Sequence, residues 1–156
     1  AGTVRVFTAE ITGICRAIFN LRVIHTFSDI QNITNRDARG QEDYMQVFSS
    51  SIDKLSMLDR HSIHLITEFY THLKASRDAA LLLHLSFPTD GVTGFGEANR
   101  LVIEQVMLCL KTGKQALREL AESEEEIKDD LLMIDTALQD AHKALAKMPH
   151  SNAERT

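Results

Sequence analysis

Tryptophan is absent from this chain, and its helix breakers are few: two prolines and seven glycines among 156 residues. With Pro88 and Pro149 alone to remove a backbone donor, long stretches can stay helical without interruption. Runs in which apolar and polar residues strictly alternate, the mark of a half-buried strand, are missing as well. Aromatic residues make up 6% of the chain, so a core must be built from Leu, Ile, Val and Ala. Two cysteines, Cys15 and Cys109, form no disulfide framework. Each lies in an apolar stretch and reads as a small buried hydrophobe; a disulfide between them stays open, should their helices pack at matching heights. No run reaches the ~18–20 apolar residues that a membrane span needs. The chain starts at Ala1 and not at Met, so the expectation is that an upstream piece (initiator Met, signal peptide, membrane anchor or tag) has been removed.

What is present is apolar residue in helical register. At 44% hydrophobic composition the chain can fill the core of one domain. The net charge of −5 is unevenly placed. Residues 1–60 carry seven basic and seven acidic side chains, residues 61–115 five and five, and residues 116–156 five and ten. A balanced body with an acidic end lacks the clustered Lys and Arg that displace counterions from a phosphate backbone, which argues against nucleic acid as a partner.

The spacing predicts a first helix over 3–33. Val4, Phe7, Ile11, Ile14, Ile18 and Leu21 form one stripe, after which the apolar face shifts to Ile24, Phe27 and Ile30. A polar connection follows at 32–40, then a shorter helix over 42–54 and a turn at 55–60, with Asp59 placed to cap what comes next. From Arg60 to Leu85 the inner arc holds Ile63, Leu65, Ile66, Phe69, Tyr70 and Leu73, opposite a wet face of His61, His64, Thr67, Glu68, Thr71, His72 and Lys74. Residues 88–97 hold Gly91, Gly94 and Gly96 and read as a turn between antiparallel helices. They lack the Lys-Ser/Thr and the preceding strand of a phosphate-binding loop.

From Ile103 the three-and-four alternation runs through Val106, Leu110, Gly113, Leu117, Leu120, Glu124, Ile127, Leu131, Ile134, Leu138, Ala141, Leu145 and Met148. Gly113 and Glu124 alone are out of character. Leu101 to Leu110 is apolar on most sides and belongs inside a bundle. The later part has a narrow seam and an acidic outer face of Glu122, Glu124, Glu125, Glu126, Asp129 and Asp130, with Glu124 marking a junction where a bend or break fits. The expected fold is all-α: an antiparallel bundle of about four helices in a single domain over 1–148, with a core hairpin at 60–120. An extended coiled-coil-like helix runs to 148, and a polar tail follows at 149–156.

His61, His64, Glu68 and His72 share one helical face at spacings of three, four and four, and His and Glu are the ligands of metal sites in helical bundles. No Glu-x-x-His motif stands on a second helix, so they read first as a solvated face, with no metal and no cofactor assigned. No residue is assigned a catalytic role either. Neither cysteine has a nucleophile motif, and the carboxylates Asp129 and Asp130 sit on a charged face.

Residues 66–79 (ITEFYTHLKASRDA), with Phe69, Tyr70 and Leu73, resemble the soluble helical domain of small bacterial membrane-anchored proteins of unknown function. Residues 113–120 (GKQALREL) are similar to the closing Gly-x-x-x-Leu pattern of the same proteins. The resemblance implies a helical module attached to a membrane through an upstream segment and supplies no activity. The leading expectation is a non-catalytic interaction or scaffold module that self-associates through its seams, with Ile127, Leu131, Ile134, Leu138 and Leu145 facing the first helix or another chain, as a homo-oligomer or with a helical partner. The alternative is a sensory or ligand-binding bundle with a pocket near Tyr70 and Phe95. A metal-binding bundle ranks third.

Overall fold

The computed structural model describes residues 2–20 and 52–147, and for residues 80–99 the backbone alone. Every regular element in them is helical: α1 (Gly2–Asn20), α2 (Arg60–Leu120) and α3 (Lys128–Ala146), preceded at residues 52–55 by a helical turn. The chain is an all-α bundle. None of the described helices is long and apolar enough to cross a membrane.

α1 forms because its apolar residues repeat on one face. Phe7, Ile11, Ile14 and Cys15 are buried and Val4 and Ile18 partly so, which is the expected stripe. The expected continuation of this helix to residue 33, and the helix over 42–54 apart from its last turn, lie outside the described residues.

The entry to α2 is fixed by two local devices. Backbone bonds from Met57 N to Lys54 O (3.1 Å) and from Leu58 N to Leu55 O (3.0 Å) make the corner. Asp59 then accepts from Ser62 N on Oδ1 and from Ser62 Oγ on Oδ2, both at 2.8 Å, satisfying one of the first-turn donors that a helix leaves without a partner.

A straight helix of 61 residues would be about 92 Å long and would hold Phe69 and Gly113 about 66 Å apart. Instead a Cβ on Gly113 would stand 3.0 Å from the Phe69 ring, Cys109 Sγ lies 4.0 Å from Phe69 O, and His61 lies 3.8 Å from Glu119. The midpoints of these pairs fall at residues 91, 89 and 90. α2 is therefore an antiparallel hairpin, with one arm at 60–79, the other at 100–120, and the reversal centred in the glycine-rich stretch. The first arm buries Leu65, Ile66, Phe69, Tyr70 and Leu73, as the helical arc requires.

The second reversal is at residues 121–127. Ala121 leaves the helix in extended conformation (φ −73°, ψ 143°) while its N–H still reaches Leu117 O at 2.9 Å. Glu122, Glu124, Glu125 and Glu126 are exposed here. Continuing the helix would stack like charges at three- and four-residue spacing and put Glu124 in the seam, so the segment favours leaving the helix. Ile127 is buried and anchors the return: its N–H bonds Glu124 O at 3.2 Å and its carbonyl accepts from Leu131 N at 2.9 Å. Asp129 and Asp130 occupy the first turn of α3, where the helix dipole favours negative charge.

α3 runs antiparallel to the 100–120 arm. Lys114 Nζ meets Asp135 Oδ1 at 2.5 Å, a pair whose midpoint lies between Glu124 and Glu125. Farther along, Ile103 and Met107 pack on Ala141 and Ala144 as a second cluster, flanked by Leu138 and Leu145. This corrects the expectation of one extended helix to 148: the register persists, but the chain carrying it folds back on itself. Small residues on α3 let its backbone approach the larger side chains of the arm.

Candidate functional site

The strongest concentration of chemistry lies where α1 meets the hairpin. Gly113, out of character in the seam, finds its explanation here. A Cβ at that position would lie 3.0 Å from Cys15 Sγ and 3.0 Å from Phe69 Cε2. The space a side chain would fill is taken by a thiol from α1 and a ring from the 60–79 arm. Phe69 is itself held edge-on against Tyr70, with ring centroids 5.3 Å apart and planes at 79°.

Tyr70 is buried and its hydroxyl donates to Glu10 Oε1 of α1. The bond is a polar contact between α1 and the 60–79 arm that reaches into the core. Burial raises the Glu10 carboxyl above its ordinary 4.5, outweighing the Tyr70 hydrogen bond that favours its charged form. The Tyr70 phenol is raised by burial first, and further by its bond to and the charge of Glu10. It stays a neutral donor at any ordinary pH.

Cys15 and Cys109 are both free and fully buried. Burial, and then the nearby Asp130 charge, push the Cys15 thiol up to about 12. Burial raises Cys109 too, with Cys15 adding to it. Neither is a thiolate, so neither is a nucleophile while α1 is docked. Cys109 Sγ donates to Phe69 O, while Thr112 Oγ1 bonds Leu108 O at 2.9 Å and Cys109 O at 3.0 Å. The four groups Glu10, Tyr70, Cys15 and Cys109 stand together around Phe69 and Gly113. Sequence reading had Tyr70, Cys15 and Cys109, each separately. Glu10 was missed because its partner is sixty residues away.

The histidine face is not brought together. His61 faces Glu119 across the hairpin, His64 lies 3.4 Å from Glu68 one turn along, and the His72 carbonyl accepts from Ser76 Oγ at 2.8 Å. Among the described residues no group of three His, Cys, Asp or Glu side chains could hold a metal ion. The expected pocket between Tyr70 and Phe95 has its Tyr70 end turned inward to Glu10, and the Phe95 side chain lies outside the described residues.

The seam residues pack inside the chain. Ile127, Leu131 and Ile134 are buried in the same cluster as Phe7, Ile11 and Leu117, and Leu138 and Leu145 are partly buried against the inner clusters. Their partners are α1 and the 100–120 arm of the same chain. The reversal at 121–127 is the reason: it turns the seam inward, against α1 and the 100–120 arm. Arg16 to Asp130 at 3.4 Å ties α1 to the start of α3 at the rim.

Two apolar residues expected inside are outside. Leu101 is 44% and Leu108 39% exposed. They belong to an outer row on the 100–120 arm, continuing through Glu104, Lys111 and Gln115, all exposed. Comparison of the chain with protein-family models, with curated proteins and with solved structures gives no match.

Proposed function

We propose that this chain is a non-catalytic helical interaction module that associates with a second copy of itself. The observation that carries the reading is the outer row Leu101, Glu104, Leu108, Lys111, Gln115. Its steps of three, four, three and four are those with which one helix meets another, and the row is left outside when the bundle's own seam is closed. It is also self-complementary. In an antiparallel pair centred on Leu108, each Leu108 meets its counterpart, and Glu104 of each copy faces Lys111 of the other. A two-fold contact of this kind uses the same patch on both subunits.

The reading is also supported by how the core's functional groups are used. The thiols are protonated and buried, and Tyr70 and Glu10 are occupied with each other, so the groups best suited to chemistry serve to dock α1. Sedimentation velocity over a concentration series tests the proposal. The native chain should shift from monomer toward dimer, Lys111→Glu should remain monomeric, and Glu104→Lys combined with Lys111→Glu should restore the dimer. A native chain that is monomeric throughout the series overturns the reading.

A further inference from the structure

We propose that Cys15 and Cys109 form a dithiol site that an external small-molecule disulfide oxidises to an intramolecular bond, fastening α1 to the 100–120 arm. The bundle brings both cysteines of the chain to one contact, although ninety-four positions separate them. Cys15 Sγ lies 3.0 Å from where a Gly113 Cβ would stand, and Cys109 is one helical turn before Gly113 on the same arm. Side chains four apart on a helix have Cβ atoms about 5–6 Å apart, so Cys15 is within a turn of its counterpart. Cys109 Sγ bonds the Phe69 carbonyl, and Cys15 Sγ and the Phe69 ring border the same space at Gly113. A disulfide needs Cβ atoms about 3.5–4.5 Å apart, which a small slide of α1 along the arm provides. Gly113 is what makes the approach open, because any side chain there would stand between α1 and the arm.

The chemistry is two successive exchanges. One cysteine, as its thiolate, attacks a sulfur of the external disulfide. That S–S bond breaks and one small thiol leaves. The second cysteine thiolate then attacks the mixed disulfide on the protein and releases the second small thiol. Two electrons and two protons pass from the cysteines to the oxidant, which leaves as two thiols. Because burial keeps both cysteines protonated in the docked state, the first exchange waits for α1 to lift. The site therefore oxidises slowly in the closed bundle and quickly once α1 loosens, and the product holds α1 down.

The test uses the full chain with oxidised glutathione, in buffer, in urea below the unfolding transition, and in urea above it, followed by thiol titration in denaturant and intact mass. The expected product has lost both thiols, is lighter by two hydrogens, carries no glutathione and stays monomeric on a non-reducing gel. It should form several-fold faster in sub-transition urea than in buffer, and faster than in full denaturant, where proximity is lost. The oxidised chain should melt several degrees higher and return to the starting value with reductant. Cys109→Ser should instead trap one glutathione on Cys15. Stable glutathione adducts on the native chain, disulfide-linked dimers, two intact thiols in sub-transition urea, or faster bridging in full denaturant would each overturn the proposal.

Discussion

At Gly113 the helix gives up a side chain, and the reason lies on two other elements. Cys15 Sγ and the Phe69 ring border that volume, and Phe69 packs edge-on against Tyr70, so a side chain at Gly113 would have to displace the thiol or the ring. Alanine is the better helix former by about 1 kcal/mol, but overpacking a tight core costs about 1–3 kcal/mol. Gly113→Ala should therefore destabilise the chain in urea denaturation, and Cys15→Ala should relieve it, giving a double-mutant cycle that is not additive. Additive effects would mean that the two residues do not touch. The glycine's presence in the seam was plain from the sequence; its cause was not, because spacing along one helix carries no information about which thiol comes to rest on it. Glu10 gives a second residue-level expectation. Its folded carboxyl is raised above the unfolded 4.5, so the folded state favours the protonated form. Its contribution to stability is full below 4.5 and is lost as pH rises through the folded value. Unfolding midpoints followed across that window should fall with rising pH for the native chain and change less for Glu10→Gln; equal slopes would remove Glu10 from the account.

Among the elements, α2 shows how far periodicity reaches. The inner arc of the 60–79 arm, the cap at Asp59 and the turn before it were all legible, since each depends on residues within one or two turns. The cap is testable by itself. Asp59→Ala should lower the midpoint of chemical denaturation, and Asp59→Asn, which keeps an acceptor for Ser62 N, should lower it less. The Asp59 carboxyl is held below its ordinary 3.8 by the bonds from Ser62, so the cap's contribution is present above that value and lost as pH falls through the lower folded one. If Asn and Ala weaken the chain equally, the side-chain bond is not what starts the helix. Leu101 and Leu108 show where periodicity fails. A helix apolar on most sides looks wholly buried from its sequence, yet the number of neighbours around it is set by the other helices. Among the described residues those neighbours leave one row exposed.

For the whole molecule the decisive event is the reversal at 121–127. An unbroken heptad register from Ile103 onward is equally consistent with one long rod and with a hairpin whose two halves share a register. The signals that separate them, like charges at 122–126 and a Glu in the seam, mark the site of the break without giving its angle. The structure folds α3 back, so the seam closes within one chain, and the self-association we propose falls to the outer row of the 100–120 arm. Spin labels at the exposed positions Lys111 and Gln139 report on this directly, in a sample diluted with unlabelled chain so that only intramolecular distances count. Packed helices have axes about 8–10 Å apart, so with label arms included the folded-back arrangement predicts a distance under about 20 Å. A continuous helix would hold the two positions about 42 Å apart, and a distribution centred there would contradict the account.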